Sequence, residues 1–283
     1  MRAVASSAEL RAAVDAARAG SAVVGFVPTM GALHAGHRSL LAAARKRDGF
    51  VVASIFVNPL QFGPGEDFAS YPRDLPGDLT VLEREGVDLA FTPEPAEVWP
   101  QEPLVRVSAG PIGTRLEGAL RPGHLDGVAT VVTKLLHLVG PSRVYLGRKD
   151  AQQLAMLRRM VADLGFPNEV IGCPTMREPD GLALSSRNAY LSTAERKRAT
   201  ALYQGLRAGL EAWLAGEREP AKIEGAAVSV LDATPGVETQ YVALVEPDSF
   251  EPSATAAAGQ VLAVAARVGP ARLIDNLTLE EPA

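Results

Sequence analysis

Two histidines three residues apart, His34 and His37, lie in the stretch Pro28-Thr29-Met30-Gly31-Ala32-Leu33-His34-Ala35-Gly36-His37. Gly31 and Gly36 carry no side chain, so a phosphate chain could approach the backbone there. A helix beginning near His37 would offer free N–H groups and the positive end of its dipole. Both imidazoles could then donate hydrogen bonds to charge developing on a phosphate during transfer. Two histidines can also ligate a metal. No third ligand accompanies them at metal-site spacing, and Cys173 is the single cysteine.

Further along, Lys149 follows an expected strand end at Gly147, where its ammonium could meet a phosphate as a point charge. Asp150 beside it could accept from a ribose hydroxyl. Ser185, Ser186 and Arg187 put two hydroxyls next to a guanidinium fork, a set that suits a departing pyrophosphate. Asp78 could bind Mg²⁺ through water.

The His-Ala-Gly-His turn resembles the HIGH signature of the adenylyl-transfer superfamily, which includes class I aminoacyl-tRNA synthetases and small nucleotidylyltransferases. Five further segments narrow this. They are Asn58-Pro-Leu-Gln-Phe-Gly63, Tyr71-Pro-Arg73, Glu117-Gly-Ala-Leu-Arg-Pro-Gly-His124, Gly147-Arg-Lys-Asp-Ala-Gln-Gln153 and Asp180-Gly-Leu-Ala-Leu-Ser-Ser-Arg-Asn188. In this order, over nearly the whole chain, they resemble the pantothenate synthetase (pantoate–β-alanine ligase) family. The resemblance implies activation of pantoate by Mg-ATP as an adenylate, followed by attack of β-alanine. It also implies a cytosolic homodimer.

Carried over residue by residue, the resemblance implies His34, His37 and Lys149 as catalytic. It implies ATP contacts from Met30, Gly31, His34, Gly36, His37, Gly147, Arg148, Lys149, Asp150, Met176, Leu184, Ser185, Ser186 and Arg187. Pantoate and β-alanine fall to Asn58, Gln61, Tyr71 and Gln153. Gln61 and Gln153 carry amides that both donate and accept, as recognition of hydroxyls requires. At Arg148 the family usually has Glu, so a charge-balancing role for that acid is lost here. A nucleotidylyltransferase, a tRNA-charging enzyme and a non-catalytic nucleotide sensor are the competing readings. The segments around Gln61 and Gln153 disfavour the first. The acidic charge and lack of an anticodon-binding module disfavour the second.

Those residues need a scaffold. The chain has 283 residues, 47% of them hydrophobic, and a net charge of −5. No run of Lys and Arg is long enough for a nucleic-acid arm. No apolar stretch approaches the ~20 residues that span a bilayer, and the N-terminus does not read as a leader. The expectation is a cytoplasmic protein without nucleic-acid or membrane partners.

Apolar periodicity predicts a helix over 7–19, with Ser6 and Glu9 at capping-box spacing. It predicts strands at 22–27, 50–57, 87–91 and 143–146, and a short strand at 104–107. Helices are expected from His37, around Leu79 and Leu82, over 128–139 and over 151–164. His137 reads as a packed residue of the 128–139 helix, and a long loop spans 58–73. This alternation predicts an α/β fold, a Rossmann-like doubly wound parallel sheet, over 1–174. Beyond Pro174 come an expected long helix at 194–215, a helix at 221–231, and strands at 238–245, 260–268 and 271–274. They predict a smaller C-terminal α+β domain, 175–283, as a cover for the site.

Overall fold

The computed structural model describes residues 1–280; residues 281–283 of the expected C-terminal domain lie outside the described residues. The chain divides into two units, Met1–Arg148 with Met156–Pro174, and Lys149–Ala155 with Thr175 onward.

In the first unit the order is β1 (Arg2–Val4), α1 (Ser7–Ala19), β2 (Val24–Thr29), α2 (Ala35–Arg47), β3 (Phe50–Ile55), α3 (Leu75–Arg84) and β4 (Leu89–Phe91). Then follow α4 (Pro95–Val98), α5 (Glu117–Leu120), α6 (His124–Val139), β5 (Arg143–Gly147), α7 (Ala151–Asp163, whose residues up to Ala155 belong to the second unit) and β6 (Glu169–Cys173). The strands form one parallel sheet in the order β1-β4-β3-β2-β5-β6. From β2 the chain winds outward to β3 and β4, then returns to β5 on the other side. The switch point therefore lies between β2 and β5, where open sheets of this kind bind ligands. Leu40, Leu41 and Ala44 of α2 and Leu82 of α3 pack on Val27, Val51, Ala53 and Tyr145, all fully or nearly buried. Parallel strands covered this way must be apolar on both sides, and β3 is buried at four consecutive positions.

One charge is built into this core. Asp48, at the end of α2, is buried, and accepts from Arg143 Nη1 at 2.7 Å and from the Tyr145 hydroxyl at 2.5 Å. Burial, then the hydrogen bond from the phenol to this carboxylate, push the Tyr145 phenol up, so it stays a donor.

In the second unit, α8 (Thr193–Arg198), α9 (Ala201–Leu214) and α10 (Pro220–Asp232) precede the antiparallel sheet β7 (Val237–Val245), β8 (Val261–Val268) and β9 (Ala271–Thr278). Leu202, Leu206 and Trp213 of α9, with Ile223 and Leu231 of α10, cover Leu262 and Val264 of the central strand.

Four expectations change. Residues 104–107 form no strand. The Val107 N–H donates to Thr130 Oγ1 at 3.0 Å instead of joining a ladder, and Leu104 and Val105 are exposed. The helix expected over 194–215 is two helices. The Thr200 hydroxyl bonds back to the Lys197 carbonyl at 2.7 Å, and such back-bonding bends a helix. His137 is exposed rather than packed, with its ring 5.0 Å from Phe166. Its neighbours Leu136 and Leu138 are buried, but successive helical residues point about 100° apart. Strands β1 and β6 were not expected; both lie at the sheet edges and each is buried at a single position.

Candidate active site

Within the first unit the turn after β2 is shaped by its backbone. Gly31 and Ala32 have φ of 84° and 51°, the left-handed region. A side chain at Gly31 would lie 2.8 Å from Asp78 Oδ2 and 3.2 Å from Ile55 Cγ2, so only glycine fits. Asp78, buried on α3, accepts from the Ala32 N–H at 2.9 Å and the Leu33 N–H at 2.8 Å. The Gly31 N–H donates to Thr29 Oγ1, whose hydroxyl donates to the Ser54 carbonyl. Three successive N–H groups are thus held, and an uncommon conformation at Ala32 is sustained. Burial raises the Asp78 carboxyl above its ordinary range, against the lowering effect of those two bonds.

Helix α2 starts at Ala35, two residues before the expected point, because His34 is its N-cap. His34 Nδ1 accepts from the Gly36 N–H at 3.1 Å, and His37 Nδ1 accepts from the His34 N–H at 3.3 Å. An imidazole that accepts at Nδ1 carries its proton on Nε2. The two rings lie 4.2 Å apart, half-buried. One local feature thus caps the helix and fixes both rings as Nε2–H donors beside its N-terminus.

The loop after β3 carries Gln61. Asn58 is 1% exposed and Gln61 8%. Asn58 Nδ2 donates to Gln61 Oε1 at 3.2 Å and to the Gly127 carbonyl at 3.1 Å. Asn58 Oδ1 accepts from Trp99 Nε1 at 3.1 Å and from the Leu60 N–H at 3.3 Å. Those four bonds fill the capacity of an amide. Asn58 therefore holds the Gln61 amide in place. The close approach depends on Gly127, where a Cβ would fall 2.1 Å from the Leu60 carbonyl. The Gln61 carbonyl accepts from His124 Nδ1 at 2.8 Å. Burial, then the nearby Arg121 charge, lower the His124 pKa, which favours the neutral ring. Arg121 also grips Glu66 at 2.6 and 2.7 Å, holding that carboxyl down to about 2. Tyr71 is buried with its ring 5.9 Å from Phe62, so it packs the loop. At the end of β5, Gly147 is half-buried and Arg148 exposed, with Arg148 Nε donating to the Gly172 carbonyl at 3.3 Å. Cys173 is buried, and burial pushes its thiol up, away from nucleophilic use.

Within the second unit, Lys149 lies 3.9 Å from Asp150, and its carbonyl accepts from Asn276 Nδ2 at 2.8 Å. Gln153 is half-buried. Met176 is paired with Leu184 through a backbone bond of 2.9 Å, and an Arg177–Ala183 bridge continues the pairing. Ser185 then caps a 3-10 turn over Ser186–Tyr190 by accepting from the Arg187 N–H at 3.3 Å. Before it, Arg177 donates to the Gly181 carbonyl at 3.0 Å, pairs with buried Asp275 at 2.5 and 2.9 Å and stacks over Tyr203. Trp99, Arg121, Glu66 and Arg177 were not anticipated from sequence. Their partners lie 41 or more residues away, and no local spacing announces them.

A doubly wound parallel sheet with a histidine-capped helix after its switch-point strand defines an α/β protein of the nucleotide-binding class. The pantoate–β-alanine ligase family model matches residues 2–278. Pantothenate synthetase of Acidothermus cellulolyticus is 54% identical over 277 residues, covering 96% of this chain and 90% of that one. A crystal structure of pantothenate synthetase from Thermus thermophilus superposes with a TM-score of 0.93 at 50% identity, covering 99% of this chain and 100% of that one. A Francisella tularensis pantoate–β-alanine ligase, complexed with β-γ ATP and β-alanine, gives 0.82 at 32% identity, covering 100% of this chain and 99% of that one. A bifunctional pantoate ligase/cytidylate kinase of Synechococcus elongatus is 51% identical over 91% of this chain, which spans 49% of that protein's length. The chain belongs to the pantoate–β-alanine ligase family.

Proposed function

We propose that the protein joins pantoate to β-alanine with ATP, giving pantothenate, AMP and pyrophosphate through a pantoyl-adenylate. The observation that most supports this reading is the pair of Nδ1 acceptor bonds at His34 and His37, which puts the proton of each neutral ring on Nε2. In the first half-reaction a pantoate carboxylate oxygen attacks the α-phosphorus. The bond from that phosphorus to the bridging oxygen breaks, and pyrophosphate leaves with the electron pair. Charge grows on the phosphate oxygens, where fixed N–H donors and a helix N-terminus are worth most. His34 and His37 supply those donors. Lys149, Ser185, Ser186 and Arg187 serve the leaving pyrophosphate. Met30, Gly31, Gly36, Gly147, Arg148, Asp150, Met176 and Leu184 hold the nucleotide.

In the second half-reaction the amine nitrogen of β-alanine attacks the acyl carbon. AMP leaves, and the nitrogen loses a proton. Gln61 and Gln153 hold pantoate, and Gln61 also meets β-alanine. Magnesium, when bound to the triphosphate, neutralises part of its charge. Each Asp78 oxygen accepts one backbone N–H and keeps a second lone pair, which fits a contact to that ion through water rather than direct ligation. The same reading has a cytoplasmic homodimer with neither nucleic-acid nor membrane partners. The names of the relatives support the substrates, as does the ligand set of the Francisella structure.

Isotope exchange tests this. Labelled pyrophosphate should enter ATP when pantoate is present and β-alanine absent, and should not without pantoate. Adding β-alanine should release AMP. ADP as product, with no exchange, would overturn the adenylate route.

A further inference from the structure

We propose that Trp99 is a positioning residue that fixes which end of the Gln61 amide faces the substrate. The inference rests on the reading that Gln61 binds pantoate. A glutamine amide has a donor end and an acceptor end of nearly equal size, so its orientation must be set by neighbours. The indole Nε1 can only donate. It lies 3.1 Å from Asn58 Oδ1 and, together with the Leu60 N–H at 3.3 Å, holds that atom as the acceptor end of the amide. The Asn58 NH₂ group is then directed to the Gly127 carbonyl and to Gln61 Oε1. Gln61 has to turn its own oxygen toward Asn58, which leaves Nε2 on the other side. There it donates to the thioether sulfur of Met30 at 2.8 Å. A thioether is a weak acceptor, so a substrate oxygen can take over this N–H at little cost.

The relay is anchored at its far end. The Lys134 ammonium sits 4.7 Å from the Trp99 ring centroid and donates to the Val98 carbonyl. A cation over the indole face and a bond to the preceding residue fix the ring in place. The chain Lys134–Trp99–Asn58–Gln61 therefore carries polarity rather than charge, and presents an N–H donor to an oxygen of pantoate, its carboxylate or a hydroxyl.

Trp99→Phe keeps an aromatic ring beneath Lys134 and deletes the indole donor. The full-length variant should raise the pantoate KM about fivefold, the scale of one neutral hydrogen bond, with kcat and the ATP KM within about twofold. In a Gln61→Ala background the same substitution should change the pantoate KM by less than about 1.5-fold, because contacting sites that act through one another are not additive. Solvent exchange of the Gln61 side-chain amide protons, assigned by their loss in Gln61→Ala, should speed up in Trp99→Phe without any ligand. Unchanged exchange would overturn the relay whatever the kinetics show. Faster exchange with multiplying KM effects in the double variant would overturn the claim that Trp99 acts on pantoate through Gln61. Faster exchange with a normal pantoate KM in Gln61→Ala would leave the relay standing and remove Gln61 from the pantoate site.

Discussion

His34 does two jobs with two nitrogens, and substitutions can separate them. Nδ1 caps α2 while Nε2 bears the proton. His34→Asn keeps a short acceptor for the cap and removes the distal donor. We expect near-normal thermal stability and a loss of about a hundredfold in pantoate-dependent pyrophosphate exchange. His34→Ala should lose the same activity and also about 1 kcal/mol of stability, the usual value of an N-cap. Equal stability of the two variants, measured by urea midpoint, would show that the cap contributes nothing. Asp48 gives a contrasting case, a buried carboxylate with no place in the chemistry. Asp48→Ala should cost about 2–3 kcal/mol, because the Tyr145 hydroxyl and the Arg143 guanidinium lose a charged acceptor. Its adenylation rate, measured below the new melting point, should stay within about threefold of the parent. The histidine pair was legible from spacing. Its tautomers were not, because they depend on which backbone N–H reaches each ring.

At the scale of elements, the Gln61 loop is tied down by one ion pair. Glu66 is held at about 2 against an ordinary 4.5, mainly by the hydrogen bond from Arg121. The folded state therefore binds fewer protons than the unfolded chain in this interval. The stabilisation is complete above about 4.5 and is lost as pH falls toward about 2. Glu66→Gln should flatten the acid limb of the stability curve and leave the curve above pH 6 little changed in shape. Denaturant titrations at several pH values would show it, and an unaltered acid limb would remove the pair from that role. The strands and helices of the sheet were readable because each is a buried apolar run or a 3.6-residue pattern. The loop was readable only as a gap. Its order comes from Arg121, His124 and Gly127, whose contact with it is a product of the fold. The same limit explains 104–107, where two apolar residues, Leu104 and Val105, suggested a strand and stand in solvent.

For the whole molecule, strand–helix alternation was enough to predict a doubly wound parallel sheet followed by a smaller α+β domain. Two edge strands escaped, since β1 and β6 are each buried at a single position and so do not read as apolar runs. The excursion of residues 149–155 into the second unit was not expected. The chain passes from one unit to the other at 148/149, at 155/156 and at 174/175, so α7 begins in one and ends in the other. This has a consequence for protein engineering. A gene split at Pro174 would not yield two independent modules. It would leave 149–155 on the wrong piece, with the Lys149 carbonyl stripped of Asn276. Amide exchange in a 1–174 fragment should be faster over 151–157 than in the full chain, and equal rates would show that this turn of helix stands alone. Swapping parts between relatives would therefore need two fragments exchanged together, the short one carrying Lys149 and the long one carrying Ser185, Ser186 and Arg187.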